Sequence, residues 1–244
     1  MSDQSEQNPF RSRRFVLALV VVGVIAICAV FVLISNLVGG KNDAAPTTSP
    51  SSSTSATPAT PVDSDPSACG LKGYEATSSL NKAPETTWVL VGTSAAPTDP
   101  KGAGPGVTDS SGFRSCYAHT ATGALFAAAN YVALGTDATM YEKQTSLIAP
   151  GAGREAAEKS LAGGNNKPSG VRAQIAGFTI TSYDSQNATV DLVLNFSDGQ
   201  LASGPVKLLW VEGDWKVVLL DDGTMPIAPA GLENLGGYTP WAGA

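Results

Sequence analysis

His119 is the only histidine in the chain. With Asp184 and Asp191 it supplies the residue types that general acid–base catalysis uses near neutral pH. Tyr117, Tyr131 and Tyr183 are hydroxyl donors that would complete such a site. The sequence context argues against that use. His119 stands where a short alternation, "FRSCYAH", meets an alanine-rich run, a junction at which imidazoles bond backbone groups. Asp184 precedes Ser185 and Gln186 in a turn between two strand-like runs, and Asp191 falls on the polar side of an alternating strand. No G-x-S-x-G, S-x-x-K or H-E-x-x-H pattern occurs. The chain is therefore read as having no catalytic residues, with His119 serving architecture.

Ligand motifs are equally thin. "KGAGPGV" (Lys101 to Val107) is rich in glycine but lacks the G-K-[ST] ending and the following helix of a phosphate loop. The Asp-Gly pairs in "SDGQ" and "LLDDGT" offer too few oxygen ligands for calcium. Asn187 and Asn195 match glycan acceptor patterns formally but fall on or beside strands. No cofactor-binding or metal residue is expected. Over residues 69–244, 11 basic residues stand against 16 acidic ones. Such a surface repels phosphate backbones, so nucleic acid is excluded as a partner.

The chemistry with the clearest signal is environmental. "FVLALVVVGVIAICAVFVLISNLV" (Phe15 to Val38) carries no charge and is long enough to cross a hydrocarbon core of ~30 Å. A cleaved signal peptide is the competing reading, although its apolar region runs only about 7–15 residues. Arg11, Arg13 and Arg14 precede the run and only Lys41 follows closely. That asymmetry places the N-terminus in the cytoplasm and the rest outside. Residues 1–14 are then a cytoplasmic tail, 15–38 a single transmembrane helix, 39–68 a disordered Ser/Thr/Pro linker and 69–244 an extracytoplasmic domain. Cys69 and Cys116 are the only cysteines outside the span. In an oxidising compartment they are expected to form a disulfide; free thiols or metal ligation are the alternatives.

The elements of the domain follow from periodicity. "TTWVLVGT" (Thr86 to Thr93) reads as a strand, Ala96 to Gly112 as a Gly/Pro loop, and "FRSCYAH" as a short strand. Thr120 or Thr122 caps a helix whose Leu125, Ala128, Ala129, Val132 and Ala133 make one apolar face, with Gly135 as the stop. Asp137 caps a second helix with Met140, Gln144, Leu147 and Ile148 on one side, ended by Pro150. "GREAAEKSL" makes a third. After Arg172 the period becomes two: an antiparallel meander that folds back tightly at Gly213-Asp214. Helices before strands indicate an α+β fold with helices on one face of a curved antiparallel sheet. The last segment, "GTMPIAPAGLENLGGYTPWAGA", carries Tyr238 and Trp241. These aromatics either fold back on the domain or anchor a partner.

The small-residue helix "HTATGALFAAANYVA" and the Trp210/Trp215 hairpin "LLWVEGDWKV" give residues 113–221 a resemblance to the nuclear-transport-factor-like, or cystatin-like, cone fold. The whole arrangement is similar to membrane-anchored proteins of actinobacterial mobile elements and to inner-membrane scaffold subunits of type IV secretion and conjugation machines. The scaffold resemblance implies oligomer building and docking of other envelope proteins, without catalysis and without cofactors. A module holding a small apolar ligand, or an isomerase- or dehydratase-type enzyme of the cone fold, is the alternative that the fold resemblance implies.

Overall fold

The computed structural model describes residues 65–164 and 172–243. These belong to a compact unit spanning 58–244; a second unit, 1–57, lies outside the described residues. So do the expected membrane span 15–38 and the linker up to residue 64. Among the described residues no helix is long and apolar enough to cross a membrane.

Among the described residues the fold is α+β, with three helices and a mostly antiparallel sheet. A hairpin of β1 (Thr87–Val91) and β2 (Ser94–Thr98) is followed by the short pair β3 (Val107–Thr108) and β4 (Arg114–Ser115). Helices α1 (Ala121–Leu134), α2 (Tyr141–Gln144) and α3 (Ala152–Ala162) come next. The strands β5 (Ala173–Tyr183), β6 (Asn187–Phe196), β7 (Leu201–Val211) and β8 (Asp214–Val217) form the antiparallel meander. Two short strands, β9 (Ala230–Leu232) and β10 (Thr239–Pro240), close the order β10-β5-β6-β7-β8, with β9 beside β7.

α1 starts where the Thr120 hydroxyl accepts from Gly123 N at 3.0 Å, while the Glu75 carboxylate takes Ala121 N at 2.8 Å. A carboxylate at that end also complements the helix dipole. The helix stops at Gly135. It is buried on more than the single face its spacing suggests: 11 of its 14 residues are buried. The sheet takes one flank through Phe126, Val190, Leu192, Trp210 and Trp215, and the β1–β2 hairpin takes the other through Val91, Ala96, Ala133 and Leu134. A helix enclosed on both sides must be thin, which explains the alanines.

That hairpin departs from the sequence reading, which left 96–112 as loop. Pro97 is what hides β2. It stands opposite Trp88, a pair that exchanges no backbone hydrogen bonds, so its missing N–H leaves the ladder intact. The expected strand "FRSCYAH" shrinks to Arg114–Ser115. Cys116 takes φ of 66°, and the buried Asp214 carboxylate captures Cys116 N at 3.0 Å and Tyr117 N at 2.9 Å. The second expected helix becomes a succession of 3-10, α and 3-10 turns over 138–147, although Met140, Gln144, Leu147 and Ile148 are buried together as read. The β7–β8 turn is Glu212-Gly213, both at positive φ, one residue before the pair expected.

In β5 strict alternation fails. Register shifts after Ile175 and after Ile180 rotate the strand, so Ile175, Phe178, Ile180 and Tyr183 all reach the core. Beyond β8 the chain returns to run beside the first half of β7 as β9 and ends beside β5 as β10. Since β6 lies between β5 and β7, residues 233–238 must cross a face of the sheet. One face is filled by α1, so the crossing uses the other. There the Tyr238 hydroxyl donates to Asp191 Oδ2 at 2.8 Å, and Asp191 and Val193 are buried beneath the strap.

Candidate functional site

The structure separates the residues that acid–base chemistry would need. His119 is 1% exposed and stacks on Trp210, with ring centroids 3.8 Å apart and planes within 5°. Tyr74 and Trp215 meet it edge-on. Its Nδ1 lies 3.1 Å from Asp65 O and its Nε2 2.5 Å from Ser185 O. The ring thus joins the first described residue to the β5–β6 turn. Asp184 accepts from Gln186 N and Asn187 N, each at 2.7 Å, and these amides hold its carboxyl below the usual range. Asp191 sits on the far face of the sheet, where burial raises its carboxyl and Tyr238 opposes that rise. Tyr117 is fully buried with no partner for its hydroxyl among the described residues, and burial pushes its pKa up. Tyr183 donates to Glu75 O at 3.0 Å.

Cys69 and Cys116 form a disulfide. Around it the Ser67 hydroxyl donates to Tyr117 O at 2.9 Å and Ala68 N donates to Gly213 O at 2.9 Å. Residues 65–68, placed in the linker by composition, are therefore packed on the domain. Loop 101–107 spends its amides internally, with Gly102 N and Ala103 N on the Asp99 carboxylate. Trp241 is 5% exposed and packs among Trp88, Phe126 and Phe178, its indole N–H donating to Thr86 Oγ1 at 2.9 Å. Its surface is spent within the domain rather than offered outward, and Tyr238 is engaged by Asp191. Asp214 carries no motif, so the sequence reading missed it. Its one signal is its position directly after the Glu212-Gly213 turn, where a carboxylate can reach back to amides on a neighbouring segment.

The open hollow lies elsewhere, beneath α3. The start of this helix is pinned. A Cβ at Gly153 would stand 2.7 Å from Leu220 O and 2.8 Å from Leu219 O, so only glycine allows this approach. Arg154 donates Nε to Ile148 O at 2.7 Å and pairs with Glu212 at 3.6 Å. The second half of α3 stands off the body, and the only buried residue in the helix is Gly153. The gap is a groove of about 420 Å³ between Leu161 and Ala157 above and Tyr131, Ile148, Leu219 and Met225 below. It continues past Tyr141, Thr145 and Leu161 into a second hollow of about 710 Å³ bordered by Glu142 and Glu158.

Burial raises the Tyr131 phenol to about 12, so it stays protonated across physiological pH. Its hydroxyl has no hydrogen-bond partner among the described residues. The first hollow contains no carboxylate and no imidazole; its polar groups are hydroxyls and the Gln144 amide, which already donates to Tyr131 O at 2.7 Å. Such a lining binds apolar matter and a few hydrogen-bonding groups. Among the described residues no cluster of three metal-ligating side chains exists.

A family model described as a domain of unknown function (DUF8175) matches residues 48–240. The chain belongs to that family. The match begins upstream of Cys69 and runs to Pro240, one residue before the buried Trp241, so it takes in the disulfide, both helical flanks and the strap. No curated protein and no solved structure matches the chain.

Proposed function

We propose that this DUF8175 member is a non-enzymatic docking module, held outside the cytoplasmic membrane on residues 15–38 and projected by the Ser/Thr/Pro segment. The uncharged apolar run and the arginines before it support the anchor and its orientation. The disulfide fits an oxidising compartment. A coil of the length of residues 39–64 reaches on the order of 30 Å, far enough for the domain to meet other envelope proteins. The cone-fold resemblance of residues 113–221 and the scaffold resemblance of the whole arrangement favour a conjugation- or secretion-like assembly, and genes for such a machine beside this one are the expected neighbours.

The observation that carries the reading is the contrast between a solid interior and an open groove. The space between α1 and the sheet, where a cone-fold enzyme would hold its acid and base, is filled by Phe126, Phe178, Trp210, Trp215 and Trp241. The groove beneath α3 is open, apolar at its floor and acidic at one end, and suits apolar side chains of a partner protein. Its two tyrosines and aliphatic floor also favour a second reading, an apolar small molecule held there. Photo-crosslinking from position 161 of the full chain in its own membrane separates the two. Adducts of defined protein mass are expected. Lipid-sized adducts in their place, or a small molecule carried by the domain in native mass spectrometry, would favour the second reading.

A further inference from the structure

The β1 strand has an unused edge. Its pairing with β2 puts Val91 opposite Ser94 across the Gly92-Thr93 turn, so Val91, Val89 and Thr87 exchange bonds with β2 while Trp88 and Leu90 turn their N–H and C=O groups away from it. On β2 two of the three corresponding outward groups are taken: Ala95 N donates to Gln174 Oε1 at 2.9 Å, and Pro97 O accepts from Asn130 Nδ2 at 3.0 Å. On β1 neither Trp88 nor Leu90 has a backbone partner among the described residues. The edge also lacks the usual protections, since "TWVLV" contains no charge and no proline. Leu90 is 75% exposed, the most exposed of the large apolar side chains described.

Beside this edge lies a half-buried cation. Arg114 borders a recess of about 170 Å³ together with Leu90, Gly92 and Met140. Its one hydrogen bond is a long contact of 3.4 Å from Nη1 to Asn130 Oδ1, and no carboxylate pairs with it among the described residues. Asp137, on the same rim, turns its Oδ1 to Thr139 N at 2.9 Å and to the Thr139 hydroxyl. Glu85, exposed just ahead of β1, has no ion-pair partner among the described residues.

We propose that the β1 edge pairs with the β1 edge of a second copy of this chain, antiparallel about a two-fold axis at Val89. This register sets Trp88 of each copy against Leu90 of the other, so the four outward N–H and four outward C=O groups of the two edges satisfy one another. It also runs Glu85 of one copy past the Gly92-Thr93 turn of the other. Gly92 borders the recess that holds Arg114, so this register brings Glu85 of one copy to the recess of the other. The pairing therefore supplies the missing carboxylate twice, once at each end of the joint. A contact of this length is weak between free molecules. Its strength rests on the proposed membrane anchor, which confines copies to one plane and raises their effective concentration.

The test uses full-length chain in membranes of producing cells, with Cys28→Ser to remove the other free thiol. Val89→Cys places two thiols at a pair whose Cα atoms stand about 4.5 Å apart. Mild oxidation is expected to yield a linked dimer roughly fivefold more abundant than from Asp198→Cys in an exposed turn, and Leu90→Lys is expected to remove that excess by charging the edge. With residue 89 left as valine, two differently tagged copies are expected to co-isolate, Glu85→Arg or Arg114→Glu alone to weaken this, and the two together to restore it. No excess at position 89, or no effect of Leu90→Lys, overturns the pairing. Fractionation of the same cells reads the anchor separately. Linked dimer in the soluble fraction would leave the edge pairing standing and remove the tether, whereas membrane-bound chain without linkage would do the reverse.

Discussion

α1 and α3 are both alanine-rich, and they are used in opposite ways. α1 buries 11 of 14 residues and α3 buries 1 of 11. The difference lies in what the alanines are interrupted by. In α1 they alternate with Leu125, Phe126 and Leu134, and the polar Asn130 is absorbed by Pro97 O and Phe126 O. In α3 they alternate with Arg154, Glu155, Glu158 and Lys159, which keep one side in water. The first helix is the axis on which the domain is built. The second is attached at Gly153 and leaves a groove behind it. On the proposed function, stability and recognition fall to separate helices, and substitutions can tell them apart.

The largest effect is expected at the axis. Phe126→Ala should cost about 3–5 kcal/mol in chemical denaturation, as for other fully buried aromatics. A loss below about 1 kcal/mol would mean that α1 does not centre the core. Replacing both Cys69 and Cys116 by serine should cost about 2–4 kcal/mol, because the bridge ties a segment outside the sheet to the stretch leading into α1. Removing the helix cap with Thr120→Ala should cost about 1 kcal/mol.

A pH series sharpens the comparison further. Burial raises the carboxyls of Asp191 and Asp214. Their folded forms bind protons more tightly than their unfolded forms, so their contribution grows as pH falls from neutrality towards the ordinary carboxylate value of about 4 and is lost as pH rises. Asp184 and Asp222, held low by turn amides and hydroxyls, act in the opposite sense. Asp191→Asn should therefore make stability fall more steeply on acidification than in the unaltered chain, with the Tyr238 contact kept through the amide oxygen. An unchanged slope would show that the strap does not bury Asp191 in solution. The smallest effect on stability belongs to α3. Leu161→Ala should leave the unfolding free energy within about 0.5 kcal/mol while removing the crosslinks expected from a photoreactive residue placed at position 157 of the same groove.

Local signals made half of this architecture legible. Thr120, Gly135 and Asp137 mark helix ends by chemistry that acts within four residues, and the two-residue period survives through β6 and β7 because one face of those strands is uniformly apolar. What was hidden depends on distant partners. Pro97 sits in a strand because the neighbour across from it needs no hydrogen bond. The one-residue slips in β5 are invisible without β6. The strap reads as loop because its glycines and prolines form no period, and its meaning comes from Asp191 and the Trp88–Phe126–Phe178 pocket far upstream. The groove was illegible for the same reason: its lining comes from 131 to 225, with no spacing that a motif could record.

The strap has one more implication, for the order of events in the cell. Proteins are made from one end to the other, and Trp241 seals a cavity whose other walls, at 88, 126 and 178, emerge long before it. Until that indole arrives, the nascent body keeps an oily gap on one side and a lone strand edge on the other. Any chaperone or protease that surveys new chains would therefore see an interrupted copy as unfinished, and a copy made through residue 241 as closed.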